Sequence, residues 1–210
     1  MRVAGLDEAG RGSLVGPLAV AIVAVRDRDQ LALRELGARD SKTLSPGARR
    51  RIAAAISGFA YHGTVLAPHW TVDASTRARG GNLNSLEAAA FAKLIAGTCP
   101  DLAIVDSPDP RPGRFGALVT SLTEGMNCGA RIIALHHADE RYAVVGAASV
   151  IAKVARDEGI AIYSSRYGDI GSGYPHDART LKFVDAWMDR WDDYPYIVRR
   201  EWATLRGHRS

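Results

Sequence analysis

"GLDEAGRG", residues 5–12, places two acids, Asp7 and Glu8, after an apolar run and directly before a glycine–arginine–glycine turn. Together with the preceding "RVA" it reads as a strand that ends at its acids and then reverses through the most permissive backbone available. "PLAVAIVAV" follows, so the turn joins two strands. The second is apolar at nearly every position, the pattern of a strand buried on both faces. Neighbouring residues of a regular strand point to opposite faces, so Asp7 and Glu8 share a site only where the strand ends or bends. "AGRG" supplies that ending.

The remaining elements follow from pattern. "DQLALRELG" predicts a short helix closed by Gly37, and Ser45 before Pro46 caps a helix running to about Ser57. "FAYHGTVLAP" alternates as a third strand. "NLNSLEAAAFAKLIAG" predicts a helix in which Asn84 and Glu87 resemble a capping box. "LAIVDS" and "GARIIALHHAD" are short apolar strands ending in acids, with a helix from about Phe115 to Met126 between them. "GAASVIAKVARDEGIAIYSSRYG" predicts a long helix ending at Gly168, and "TLKFVDAWMDRW" and "YIVRREWATLRG" two more. Strands joined first by a turn and later through helices imply an α/β fold, a mixed sheet with helices on both faces. Residues 1–168 are read as the catalytic domain, and 169–210 as a loop and helical extension packed on it.

At 210 residues, 47% apolar and 24% charged, the chain has the composition of an ordinary globular protein. No apolar window reaches membrane-spanning length, and the run from Leu14 to Val25 is broken by Gly16 and Pro17. A net charge of +4 suits a polyanionic partner without requiring one. Cys99 and Cys128 have neither metal-clip spacing nor the number for a disulfide framework, and read as reduced thiols of a cytoplasmic protein.

The acids carry the chemistry. Asp7 and Glu8 close one strand, Asp106 ends "LAIVD" and Asp139 follows "RIIALHHA". Residues past the carboxyl ends of neighbouring strands meet in space whatever their sequence separation. Carboxylates gathered this way repel one another unless hard divalent cations neutralise them. Two such ions about 3.5–4 Å apart activate water and stabilise the leaving oxygen of a phosphodiester. On this reading Asp7, Glu8 and Asp106 hold one ion, and Asp7 and Asp139 share a second.

"GLDEAGRGSLVGPLAVA", "DSKTL", "IVDSP", "HHADERYAVVGAASVIAKVARD", "GSGYPHDART" and "IVRREW" resemble, in order, the blocks of type 2 ribonuclease H (ribonuclease HII), most closely its archaeal form. The resemblance spans residues 2 to about 203. It implies a ribonuclease H-like fold with a mixed five-stranded sheet, and a Mg²⁺- or Mn²⁺-dependent endonuclease. The implied substrates are RNA–DNA hybrids and ribonucleotide-containing duplex DNA, the latter cut on the 5′ side of the ribonucleotide to leave 3′-hydroxyl and 5′-phosphate ends. The family's four metal-binding carboxylates fall on Asp7, Glu8, Asp106 and Asp139.

Further positions come with the resemblance. Gly10, Arg11 and Gly12 match the loop whose backbone lies close to the 2′-hydroxyl at the cut. Tyr174 matches a tyrosine that stacks on the sugar; a packing anchor is the other reading. Ser41 and Lys42 match phosphate contacts, with a polar loop as the alternative. Ser149, Lys153 and Asp157 share a helix face: the first two would meet phosphate or an acid of the site, with Asp157 holding Lys153, unless the face is simply solvated. Asn82 and Asn84 are read as nucleic-acid contacts or caps, and His176 as a phosphate contact. Ser13, His137 and Gly146 depart from the residues usual in the family, and His137 lies two residues from a proposed ligand. Rival readings are another metal nuclease of this fold, a resolvase or exonuclease, and a non-catalytic nucleic-acid-binding module. The basic "IVRREWATLRGHRS" is read as a grip on the duplex backbone. No clamp-binding peptide is evident at "GHRS", and a monomer is expected.

Overall fold

A computed structural model of the chain describes residues 1–38, 44–78, 82–202 and 205. The elements are β1 (Arg2–Ala9), β2 (Leu18–Arg26), α1 (Gln30–Glu35), α2 (Pro46–Ser57), β3 (Tyr61–Ala67), α3 (His69–Arg77), α4 (Leu83–Thr98), β4 (Leu102–Asp106), α5 (Pro112–Glu124), β5 (Arg131–Leu135), α6 (Ala138–Arg141), α7 (Ala143–Tyr167) and α8 (Ala178–Trp191). The five strands form one mixed sheet in the order β3-β2-β1-β4-β5. β1 is antiparallel to β2 and parallel to β4, which is in turn parallel to β5.

The chain divides into two compact units. The first comprises Met1–Ala9, Ala19–Val65 and Asn84–Val154; the second comprises Gly10–Leu18, Leu66–Leu83 and Ala155–Ser210. The second unit thus takes up the glycine turn and the rear of α7 as well as residues 169–210.

In the first unit β2 is buried at eight of its nine positions, the burial its unbroken apolar run implies. One core joins Val3, Val23, Val25 and Ile104 to Val144, Val145, Ala148 and Ile151 of α7. Gly5 makes this approach possible, because a Cβ there would collide with the backbone of Val144 and Val145. In the second unit Leu14, Val15, Ile160, Ile170, Val184, Ile197 and Val198 form a separate core.

Capping behaves as expected at α2, where the Ser45 hydroxyl accepts from the Ala48 amide at 3.2 Å. It does not at α4. That helix starts at Leu83, so Asn84 lies within it and instead donates to the Asp109 carboxylate at 2.9 Å, while Glu87 is fully buried. α3 was not legible, because "HWTVDASTR" has mixed periodicity and no side-chain cap.

The segment expected to be a helix from Tyr196 is not helical over residues 196–202. Its amides are spent elsewhere: Arg199 N–H donates to the Leu14 carbonyl at 2.9 Å, and those of Arg200 and Glu201 to the buried Asp73 carboxylate at 3.0 and 3.3 Å. Val198 bridges Val15.

The two cysteines are not reduced thiols: Cys99 and Cys128 form a disulfide with Cα atoms 5.6 Å apart. The cause is strand register. Leu102 pairs with Arg131, and each cysteine lies three residues before its strand's member of that pair. Composition cannot show such alignment. The bond closes a sequence separation of 29. Chain entropy predicts that replacing both cysteines by serine lowers unfolding free energy by about 3–4 kcal/mol. Urea denaturation of both proteins without reductant measures it; superimposable curves would refute it.

Candidate metal centre and glycine-rich loops

Asp7 sits on β1 opposite Ala21 and is buried, 5% exposed. The β1–β4 register pairs Leu6 with Val105, so one step further sets Asp7 beside Asp106, the last residue of β4. Asp106 Oδ1 accepts the Ala138 amide at 2.7 Å. That bond fixes the start of α6, whose next residue is the buried Asp139. Register thus brings Asp7 to Asp106, and a hydrogen bond brings the Asp139 turn to Asp106.

α7 supplies the other wall. Ser149 is fully buried and bonded to the Asp7 carboxylate, and Lys153 Nζ donates to Ser149 Oγ at 2.8 Å. The face carrying Ser149 and Lys153 is therefore engaged rather than solvated. Asp157 lies 3.8 Å from the guanidinium of Arg156.

The Asp7 carboxyl is pushed up to about 7, chiefly because burial penalises its charge and also because Asp106 repels it. The Ser149 bond, the Lys153 charge and the Glu8 amide, which donates to Asp7 Oδ1 at 2.8 Å, pull the other way and do not win.

Glu8 corrects the expectation that β1 ends at its acids. The ladder continues through Glu8 opposite Val20 to Ala9 opposite Ala19. Regular pleating then gives Asp7 and Glu8 opposite faces. Among the described residues no three acidic, imidazole or thiol groups form a ready-made metal cluster. What converges is the pair Asp7 and Asp106, with Asp139 on the adjoining turn. The donor set is all oxygen and its central member resists ionisation, which fits a hard divalent cation. His137 has a left-handed backbone (φ 54°) and an exposed ring 3.6 Å from Glu140.

The second unit carries the two loops. Gly10 has φ 88°, and a Cβ there would stand 2.7 Å from both the Pro17 carbonyl and Arg156 Nε, so only glycine fits. Ser13 Oγ donates to the Gly10 carbonyl at 2.6 Å, a bond that proline could not make. The fully buried Arg199 donates to the carbonyls of Arg11 and Gly16 at 3.0 and 3.1 Å. The amides of Leu14 and Val15 donate to the Gly173 carbonyl at 2.8 and 3.0 Å, tying the glycine turn to the loop that bears Tyr174.

Arg156, 3% exposed, donates to the Ser172 carbonyl at 2.6 Å and places its guanidinium 4.2 Å from the centre of the Tyr174 ring. His176 stacks on that ring at 5.3 Å. Asp177, accepting first from the Ser172 amide and then from Arg179, is held well below the usual carboxylate range. Sequence reading did not single out Arg156, and took Arg199 only as part of a basic segment gripping the duplex backbone, whereas it is fully buried. The signal was their position inside otherwise apolar stretches. Ser41 and Lys42 lie outside the described residues.

A sequence profile of the family described as Ribonuclease HII matches residues 4–205. The chain is 45% identical to the ribonuclease HII of Thermofilum pendens over 98% of each protein. It is similar to the crystal structure of the ribonuclease H2 from Pyrococcus horikoshii, at TM-score 0.88 and 37% identity over 98% of this chain and 96% of that one. It matches equally, at TM-score 0.88 and 37% identity over 96% and 95%, a structure of the PCNA:RNase HII complex from Archaeoglobus fulgidus.

A carboxyl raised from 3.8 to about 7 contributes stability that is complete below pH 3.8 and lost as pH climbs through 7. Asp7→Asn cannot ionise and keeps that contribution. Without divalent metal, the variant should melt several degrees above the parent at pH 8 and level with it at pH 4. Calorimetry at both pH values checks this, and equal melting at pH 8 would show that Asp7 titrates normally.

Proposed function

The chain belongs to the ribonuclease HII family of metal-dependent endoribonucleases, and from that premise we propose that it cuts RNA paired with DNA and duplex DNA on the 5′ side of an embedded ribonucleotide. The products are a 3′-hydroxyl and a 5′-phosphate. The observation that carries this reading is the buried Asp7 carboxyl, raised to about 7 beside Asp106. Carboxyls gathered in a dry site are what a cation-dependent phosphodiesterase needs to hold its ions.

The residues that would hold Mg²⁺ or Mn²⁺ are Asp7, Asp106 and Asp139, while Glu8, whose side chain takes the other face of β1, contributes the amide that donates to Asp7 Oδ1. Bound there, one or two such ions would supply a water of lowered pKa and neutralise charge on the departing oxygen. The chain's own residues do the rest. Lys153 acts through Ser149 to steady Asp7, and its charge favours the ionised carboxylate that a cation needs. Asp106 is anchored by the Ala138 amide, which donates to its Oδ1.

Discrimination falls to the loops of the second unit. Gly12, with open space where a side chain would stand, presents the bare backbone that a 2′-hydroxyl requires for close hydrogen bonding, and the buried Gly10 shapes the turn behind it. The Arg11 carbonyl is held by Arg199. Tyr174, held by Arg156, offers a ring face to the sugar at the junction. Ser41 and Lys42 are proposed phosphate contacts. The protein is proposed to act as a cytoplasmic monomer on nucleic acid.

The decisive reaction uses duplex DNA with one internal ribonucleotide. A single cut 5′ to it, abolished by chelator and by Asp7→Asn while duplex binding persists, is expected. Cleavage by Asp7→Asn within about tenfold of the parent would end the reading. Tyr174→Ala should lose more rate on that substrate than on a long RNA–DNA hybrid; equal losses would remove Tyr174 from ribonucleotide sensing.

A further inference from the structure

A second hollow lies in the first unit at the opposite end of β1 from the acids. It encloses about 460 Å³, a volume suited to a small ligand, and is lined by Arg2, Arg26, Asp29, Phe59, Tyr61 and the close of α4 at Thr98. Arg2 and Asp7 are five positions apart on β1, about 17 Å at the rise of a strand. A ligand here would not touch the acids.

Three features of the lining are costly unless something binds. Arg2 and Arg26 are direct partners across the antiparallel ladder, and like charges so placed weaken a sheet. Arg2 spends Nη2 on the Cys99 carbonyl at 3.1 Å, whereas Arg26 makes no hydrogen bond or ion pair among the described residues. Phe59 and Tyr61 stand 47% and 55% exposed, two aromatic faces left toward solvent. Among the described residues the Asp29 carboxylate has only the 3.7 Å approach of the exposed Arg28.

We propose that this hollow binds a ribonucleoside phosphate. The base lies against Phe59 and Tyr61, since every base has a face that stacks on aromatic rings. The phosphate is met by Arg26 with Arg2, a charge-assisted contact that also relieves the cross-strand repulsion. Asp29 accepts the ribose hydroxyls, the task an acid performs in dinucleotide sites. Each of these groups alone is ordinary surface, but aromatic, cationic and hydroxyl-accepting groups around one cavity match the three parts of one ligand. The same chemistry is offered by a free nucleotide and by the terminal nucleotide of an RNA strand.

The test is calorimetric titration of the full chain in chelator, which removes cation-dependent phosphate binding at the acids. The probes are AMP, dAMP, inorganic phosphate and a 5′-phosphorylated RNA tetramer. AMP should bind at least about tenfold more tightly than phosphate and several-fold more tightly than dAMP. Arg26→Ala and Phe59→Ala should each weaken AMP about tenfold, with hybrid cleavage unchanged and the melting temperature of the free protein not lowered. A tetramer that binds through the same two residues more tightly than AMP identifies a strand end as the occupant, and AMP binding as well or better identifies the free nucleotide. Absence of binding by both AMP and the tetramer, or AMP binding indifferent to both substitutions, overturns the proposal.

Discussion

Asp7 is asked to be two things at once: a side chain in the dry interior of a sheet and an anion beside another anion. Burial alone disfavours its charge, and Asp106 on the next strand adds repulsion. A hydroxyl, an ammonium group and one amide oppose this without overcoming it. Such a carboxyl is either neutral or neutralised by a cation. The proposed chemistry follows from the second option, and so does the placement of Ser149 and Lys153, which lower the cost of the ionised form. The fold sustains the tension because β1 is gripped on both sides, by β2 through its whole length and by β4 up to the acids.

The second unit solves a different problem, that of holding glycine-rich backbone in one shape. Loops without side chains are expensive to order. Here the ordering comes from two arginines buried among backbone carbonyls: Arg199 on Gly16 and Arg11, Arg156 on Ser172. Each also lies against an aromatic ring, Arg199 on Trp202 at 5.0 Å and Arg156 on Tyr174 at 4.2 Å. A guanidinium suits this role because its planar fork meets several carbonyls and a ring face together. The residues assigned to reading the ribonucleotide are thereby fixed by cations that need not touch it.

The sheet was legible because its signals are local: the double-faced apolar run of β2, the short strands ending in Asp106 and near Asp139, and the Ser45 cap. The acids were legible as strand-end residues, but their mutual arrangement was not. It depends on register, which brings Asp106 beside Asp7 and leaves Glu8 on a continuing strand. The same blindness to register hid the Cys99–Cys128 bond. Asn84 and the segment after Tyr196 were misread for a related reason, since the partners that decide them, Asp109, Leu14 and Asp73, are distant in sequence. Arg156 went unnoticed and Arg199 was taken as part of a duplex grip because composition cannot distinguish a solvated guanidinium from one satisfied by carbonyls.

The central claim concerns one proton. Carbon-detected NMR of the Asp7 carboxyl, titrated from pH 4 to 9 with and without Mg²⁺, observes it directly. The account predicts a midpoint near 7 in chelator, moving below the ordinary aspartate range when Mg²⁺ is added. A midpoint near 4 in chelator, or one that Mg²⁺ leaves in place, would contradict it.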